Sequence, residues 1–177
     1  MSTYQLSEDQ VGSLQRDYPN VAMQTEGGGM SFAPPTPGGD RRSGYAFGLY
    51  QFDAGTNPSA RKFLSQNVFE NNPDLLMALE GSAASASQVT TADQMLQSAM
   101  QNQSVNAAYN QLVQAQTQTM VDVLQNIINN VAVTDPAVAQ QILSDQNLQL
   151  QIMDFANQYR PGLAEKELAP PTRCKSA

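Results

Sequence analysis

Three carboxylates fall within one short stretch of this sequence: Glu26, Asp40 and Asp53, in MQTEGGGMSFAPPTPGGDRRSGYAFGLYQFD. Glu26 stands just before Gly27-Gly28-Gly29, and Asp40 follows fourteen residues later, after a Pro/Gly loop. Asp53 closes an aromatic segment punctuated by Gly44 and Gly48. Cleaving a glycosidic bond takes one carboxylic acid to protonate the leaving oxygen and one carboxylate to activate water or attack the sugar. The two acids need environments that push their pKa values apart. Glu26 suits the proton donor, because a helix C-terminus disfavours its charged form. Met23, Met30 and Phe32 are close by in sequence to shield it. Asp40 suits the base, since Arg41 and Arg42 favour its ionised form. Gly-Gly-Asp is also ordinary turn chemistry, and Asp53 reads more readily as a cap or turn residue than as an acid catalyst.

Other catalytic chemistries are scarce in the chain. It has no histidine, which removes Ser-His-Asp triads, Cys-His dyads and His-ligated zinc. The single cysteine, Cys174, forms no disulfide within the chain and reads as a thiol in an exposed tail. No metal site and no cofactor is expected. A net charge of −7 opposes a general nucleic-acid binder and docking on an anionic membrane. No apolar run approaches the roughly 18 residues of a membrane span. MSTYQLSEDQ has neither the basic nor the apolar region of a secretory signal. The expectation is a protein made in the cytoplasm and delivered outside it by other means.

The elements that must position the acids follow from capping and periodicity. Ser7, then Glu8-Asp9-Gln10, predicts a helix start, with Val11, Leu14 and Tyr18 on its apolar side. Pro19 is expected to stop that helix or restart it, and the glycine run to end the helical stretch behind Glu26. GYAFGLYQFD is expected to form a small β-hairpin or an extended strand beside a cleft. In an unbroken strand Tyr45 and Phe47 would share one face, and Tyr50 and Phe52 the other. Tyr45, Phe47, Tyr50 and Phe52 are expected to divide between core and sugar platform, with Tyr45 and Tyr50 the substrate contacts. Gln51 is expected to bond a sugar or the backbone near Glu26, and Arg41 to meet substrate.

Beyond Asp53 the chain reads as helical. Asn57-Pro58, Asn72-Pro73 and Asp135-Pro136 mark helix starts, and GSAASAS at 81–87 is a connector. The stripe over Thr91–Val131 predicts core-facing helix with a break near Gln101–Asn106, and a last helix is expected over Leu148–Tyr159. Between Lys62 and Arg160 there is no Lys or Arg, so that region reads as scaffold. The cations available for an anionic substrate are chiefly Arg41, Arg42, Arg61 and Lys62. One catalytic domain is expected over residues 1–162, with an exposed tail at 163–177.

TEGGG followed by GGDRRSGYAFGLYQFD resembles the active-site region of the lysozyme-like superfamily. GLYQF is similar to the corresponding segment of lytic transglycosylases and goose-type lysozymes. A Glu, an Asp about fourteen residues on, then Gly-Tyr-x-x-Gly, is similar to chitosanases and to muramidase domains of phage lysins and type VI secretion spike proteins. The likeness covers residues 20–55, about a fifth of the chain. It implies a mainly α, lysozyme-like α+β fold, a helical bundle with a small hairpin flanking the cleft. It also implies Glu26 as general acid and Asp40 as general base acting on peptidoglycan glycan strands, with Asp53 in reserve. Delivery by lysis or a secretion system, and an immunity or delivery partner, belong to the same expectation. The PPTPGG insertion departs from the pattern, leaving open Asp53 as second acid or Glu26 acting alone. A non-catalytic helical protein of a virion or secretion apparatus is the rival from another class.

Overall fold

The computed structural model describes residues 4–25, 44–81 and 84–158. It is mainly helical with one small two-stranded antiparallel sheet. In chain order the elements are α1 (Glu8–Thr25), β1 (Ala46–Phe47), β2 (Phe52–Asp53), α2 (Pro58–Asn67), α3 (Pro73–Leu79), α4 (Ala86–Ala99), α5 (Gln103–Thr134), α6 (Pro136–Ser144) and α7 (Gln146–Gln158). Their contacts form two compact units, residues 4–21 with 116–158 and residues 22–115, of which 22–25, 44–81 and 84–115 are described.

Helix starts follow the short polar residues that precede them. At α1, Ser7 Oγ accepts the Gln10 N–H at 3.2 Å, while Gln10 Oε1 accepts the Ser7 N–H at 2.9 Å. Each side chain satisfies an amide that the first turn leaves unpaired. Ser85 and Gln88 repeat this box at α4. Asn57 Oδ1 accepts the N–H groups of Ser59 and Ala60 at α2, and Asp135 Oδ1 accepts that of Val138 at α6. Pro58, Pro73 and Pro136 follow their caps directly, where a missing N–H costs nothing.

Pro19 neither stops nor restarts α1, which runs through it. Interior proline costs about 3 kcal/mol. Leu14, Tyr18 and Ala22, spaced by four, are all fully buried and their burial opposes that cost. The break in the long periodic segment comes at 100–102, overlapping the expected Gln101–Asn106. There Asn102 Oδ1 accepts the Ser104 N–H and caps α5.

In the first unit Leu14, Tyr18, Met120, Leu124, Ile128 and Met153 are among the largest buried side chains. Tyr18 Oη donates to the Met153 carbonyl at 3.2 Å. Gln149, 1% exposed, donates through Nε2 to the carbonyls of Ile142 and Leu143 at the end of α6. A buried amide is tolerated there because it meets carbonyls the helix cannot pair. Gln125 accepts the Leu6 N–H and donates to the Tyr4 carbonyl, fastening the segment ahead of α1.

The second unit gathers its core around the hairpin. Tyr45, Phe47, Phe52, Phe63, Leu64, Phe69, Leu79 and Leu96 are buried there. Among the described residues no helix is long and apolar enough to cross a membrane.

Candidate functional site

The hairpin occupies the place that the aromatic-glycine segment predicts. β1 and β2 pair antiparallel in the register Ala46↔Asp53 and Phe47↔Phe52, so the two phenylalanines are cross-strand partners. Their rings lie 5.8 Å apart, and Phe47 also stacks on Phe63 at 5.8 Å and on Tyr45 at 6.1 Å. Tyr109 of α5 adds a ring 6.4 Å from Phe52 and 6.0 Å from Phe63. A two-stranded ribbon is marginal by itself. This one is held by packing against α2 and α5.

The base of the hairpin is fixed by polar contacts. Asp53 Oδ1 accepts the backbone N–H groups of Gly44, Gly55 and Thr56 at 3.0, 2.7 and 3.1 Å. The Tyr45 N–H donates to the Leu79 carbonyl at 2.8 Å, and the Ala54 N–H to the Tyr45 carbonyl at 2.8 Å. Arg61 donates through Nε to the Ala54 carbonyl at 3.2 Å and through Nη2 to the Gly55 carbonyl at 3.1 Å. Its Nε also lies 3.3 Å from Glu80 Oε1. Arg61, read from sequence as a cation for substrate, therefore braces the loop that follows β2 through Nε and Nη2.

Tyr45 and Tyr50 are 1% and 6% exposed. Both were expected to contact substrate, and the structure places both rings in the core instead. Tyr50 meets Phe52 edge-on at 5.7 Å, while Tyr45 Oη donates to Asp93 Oδ1 at 2.7 Å. The physical reason is the shortness of the strands. The chain reverses after Phe47, so the aromatic side chains converge on one cluster and no unbroken strand exposes alternate faces. Asp93 and Tyr109 had no mark in the sequence beyond lying in the segment read as helical.

Burial raises the pKa of the Tyr45 hydroxyl far above its ordinary value, and the bond to Asp93 and that carboxylate's charge raise it further. Burial also raises that of Tyr109, partly offset by the Leu49 N–H bond. The sign follows. Below the unfolded tyrosine value of about 10, both states hold these protons and stability is unaffected. Above it the unfolded chain ionises first, so stability falls, by up to about 1.4 kcal/mol per pH unit for Tyr45, with Tyr109 adding to the decline in the same direction. Denaturant unfolding between pH 9 and pH 11.5 is expected to show this decline, and Tyr45→Phe to flatten it.

The tip of the hairpin, Gly48 to Gln51, is a tight turn in which the Gln51 N–H donates to the Gly48 carbonyl at 3.1 Å. Gln51 Nε2 reaches the same carbonyl at 3.2 Å. Gly48 has φ +72° and Gln51 φ +48°, both in the left-handed region. For Gly48 this is free; for Gln51 it costs roughly 1–2 kcal/mol.

Glu26, Asp40 and Arg41, the acids and cation ranked first from sequence, lie outside the described residues, as does Arg42. Glu26 is the residue after Thr25, the last described residue of α1. Asp53 is the member of the acid set whose geometry is described, and it serves the hairpin backbone. Among the described residues no three His, Cys, Asp or Glu side chains come together to hold a metal ion. An open cleft of about 400 Å³ is lined by Val68, Thr91, Gln94, Met95, Ser98 and Ala99, none of them an acid or a base. No family model matches the chain, no curated protein matches it in sequence, and no solved structure matches its fold.

Proposed function

We propose that this chain is a glycoside hydrolase that cuts the glycan strands of peptidoglycan, a muramidase of lysozyme-like fold. Glu26 protonates the glycosidic oxygen and Asp40 activates the attacking water, in an inverting mechanism. Such a mechanism needs carboxyls about 6.5–9.5 Å apart, room enough for one water between them and the sugar. Arg41 and Gln51 contact the glycan. The partners in this reading are the glycan strands and a delivery or immunity protein, with action in the periplasm or at the wall after lysis or secretion.

The observation that supports the reading is the hairpin. The resemblance carried by TEGGG and GYAFGLYQFD calls for a small β element directly after the acid-bearing segment of a helical fold, and residues 46–53 supply one. Asp53, bonded to three backbone amides of that element, fits an anchor better than a second acid.

Purified peptidoglycan sacculi incubated with the protein are expected to release soluble muropeptides with new reducing ends, read by mass spectrometry. Anhydro products would convert the assignment to a lytic transglycosylase, with the substrate's own hydroxyl attacking. Cleavage of chitosan in place of sacculi would make it a chitosanase. Release of nothing from either substrate would overturn the enzyme and favour a helical structural or secretion-associated protein.

A further inference from the structure

We infer that Tyr109 is a positioning residue for glycan binding: its hydroxyl holds the Gly48–Gln51 turn in the conformation that presents Gln51 to the sugar. The inference rests on the muramidase reading and adds to it a residue from α5, far along the chain. Tyr109 Oη accepts the Leu49 N–H at 2.8 Å across sixty residues of sequence. This amide belongs to the turn itself, and no strand partner is placed to take it, because pairing stops at Phe47↔Phe52. The ring is fixed from two sides by Phe52 and Phe63. The hydroxyl is therefore an anchored acceptor, not a wandering one.

Gly48 shows how close that anchor sits. A Cβ at Gly48 would lie 2.5 Å from Tyr109 Oη and 2.9 Å from its Cε2. The turn and the tyrosine thus approach to a distance that only glycine permits, at a φ that glycine also favours. The same turn keeps Gln51, a non-glycine residue, at φ +48°. Backbone strain of this kind persists where surrounding structure over-determines it, and such places cluster at binding and catalytic sites. Here the over-determination has identifiable sources: the Gln51 N–H and Nε2 bonds to the Gly48 carbonyl, and the Tyr109 bond one residue on. Removing the Tyr109 hydroxyl frees the turn to relax Gln51 out of the left-handed region while leaving the aromatic packing in place.

The test compares wild type with Tyr109→Phe and Gly48→Ala, by amide hydrogen exchange and by kinetics on solubilised glycan strands. In Tyr109→Phe the Leu49 amide is expected to exchange at least about tenfold faster, a loss on the order of one hydrogen bond. KM is expected to rise about tenfold with kcat held within about twofold, the pattern of lost ground-state binding. Gly48→Ala, which displaces the turn from the other side, is expected to raise KM as well. A Leu49 amide that exchanges no faster in Tyr109→Phe overturns the inference, whatever the kinetics. Faster exchange with unchanged KM in both variants also overturns it, and leaves the muramidase assignment standing because wild type still cuts. A fall in kcat at unchanged KM would make the effect general loosening and overturn it too. A wild type that neither cuts nor binds glycan fails the muramidase reading itself and takes the inference with it.

Discussion

Glu26→Gln is expected to lower the rate of glycan cleavage by about 100-fold or more, with the protein folded as before. A positioned general acid contributes roughly 10²–10⁴-fold, and glutamine keeps the shape of glutamate while losing the proton it must give. The loss should fall on kcat, because the proton moves only in the transition state. Asp40→Asn is the companion measurement. A comparable loss there supports two acids working on opposite faces of the sugar, whereas a small loss with anhydro products leaves Glu26 acting alone. Full activity of Glu26→Gln on purified walls would sink the assignment, and circular dichroism on the same sample would exclude unfolding as the cause of any loss.

The second large effect is structural. Gly44→Ala is expected to destabilise the second unit by about 3 kcal/mol, from overpacking together with lost hydrogen bonds. A Cβ there would sit well inside van der Waals contact with the Leu79 carbonyl oxygen, and 3.0 Å from both Glu80 C and Gly55 N. All three are backbone atoms, so no side chain can swing aside. Relief requires moving Gly44 away from the end of α3, which breaks the Tyr45 N–H bond to the Leu79 carbonyl and loosens the Gly44 N–H bond to Asp53. At this chain length such a loss lowers Tm by roughly 6–12 °C. Gly81→Ala is the control: a Cβ at Gly81 meets nothing within 4 Å, and its Tm is expected to stay close to wild type. Equal Tm values for the two variants, measured by calorimetry, would refute the close-approach argument.

How much of this was legible in sequence divides along the range of the interactions. Helix starts at Asn57-Pro58 and Asp135-Pro136 were readable because a cap and its amides lie within three residues, and the start at Asn72-Pro73 because proline favours the first helical turn. The hairpin was readable from Gly48 and the aromatics around it. Pro19 was misread, since local cost argues for a stop while burial of Leu14, Tyr18 and Ala22 opposes it. Tyr45 to Asp93 and Tyr109 to Leu49 join residues 48 and 60 positions apart, and no local pattern encodes such pairs. Tyr45 and Tyr50 looked like sugar platforms for the same reason: whether an aromatic ring faces solvent depends on the partners that α2 and α5 bring to it. The acids at positions 26 and 40 stand on composition and resemblance, and their test is the variant series above.

The helices α3 to α7 bring their own polarity in the form of Gln, Asn, Ser and Thr, with Lys62 the last cation before Arg160. This composition has a chemical corollary. A trypsin-like protease cuts after Lys or Arg, so the chain from Phe63 to Tyr159 contains no bond it can hydrolyse, folded or unfolded. Five successive helices are protected by what their side chains lack, and that protection survives any condition that melts them.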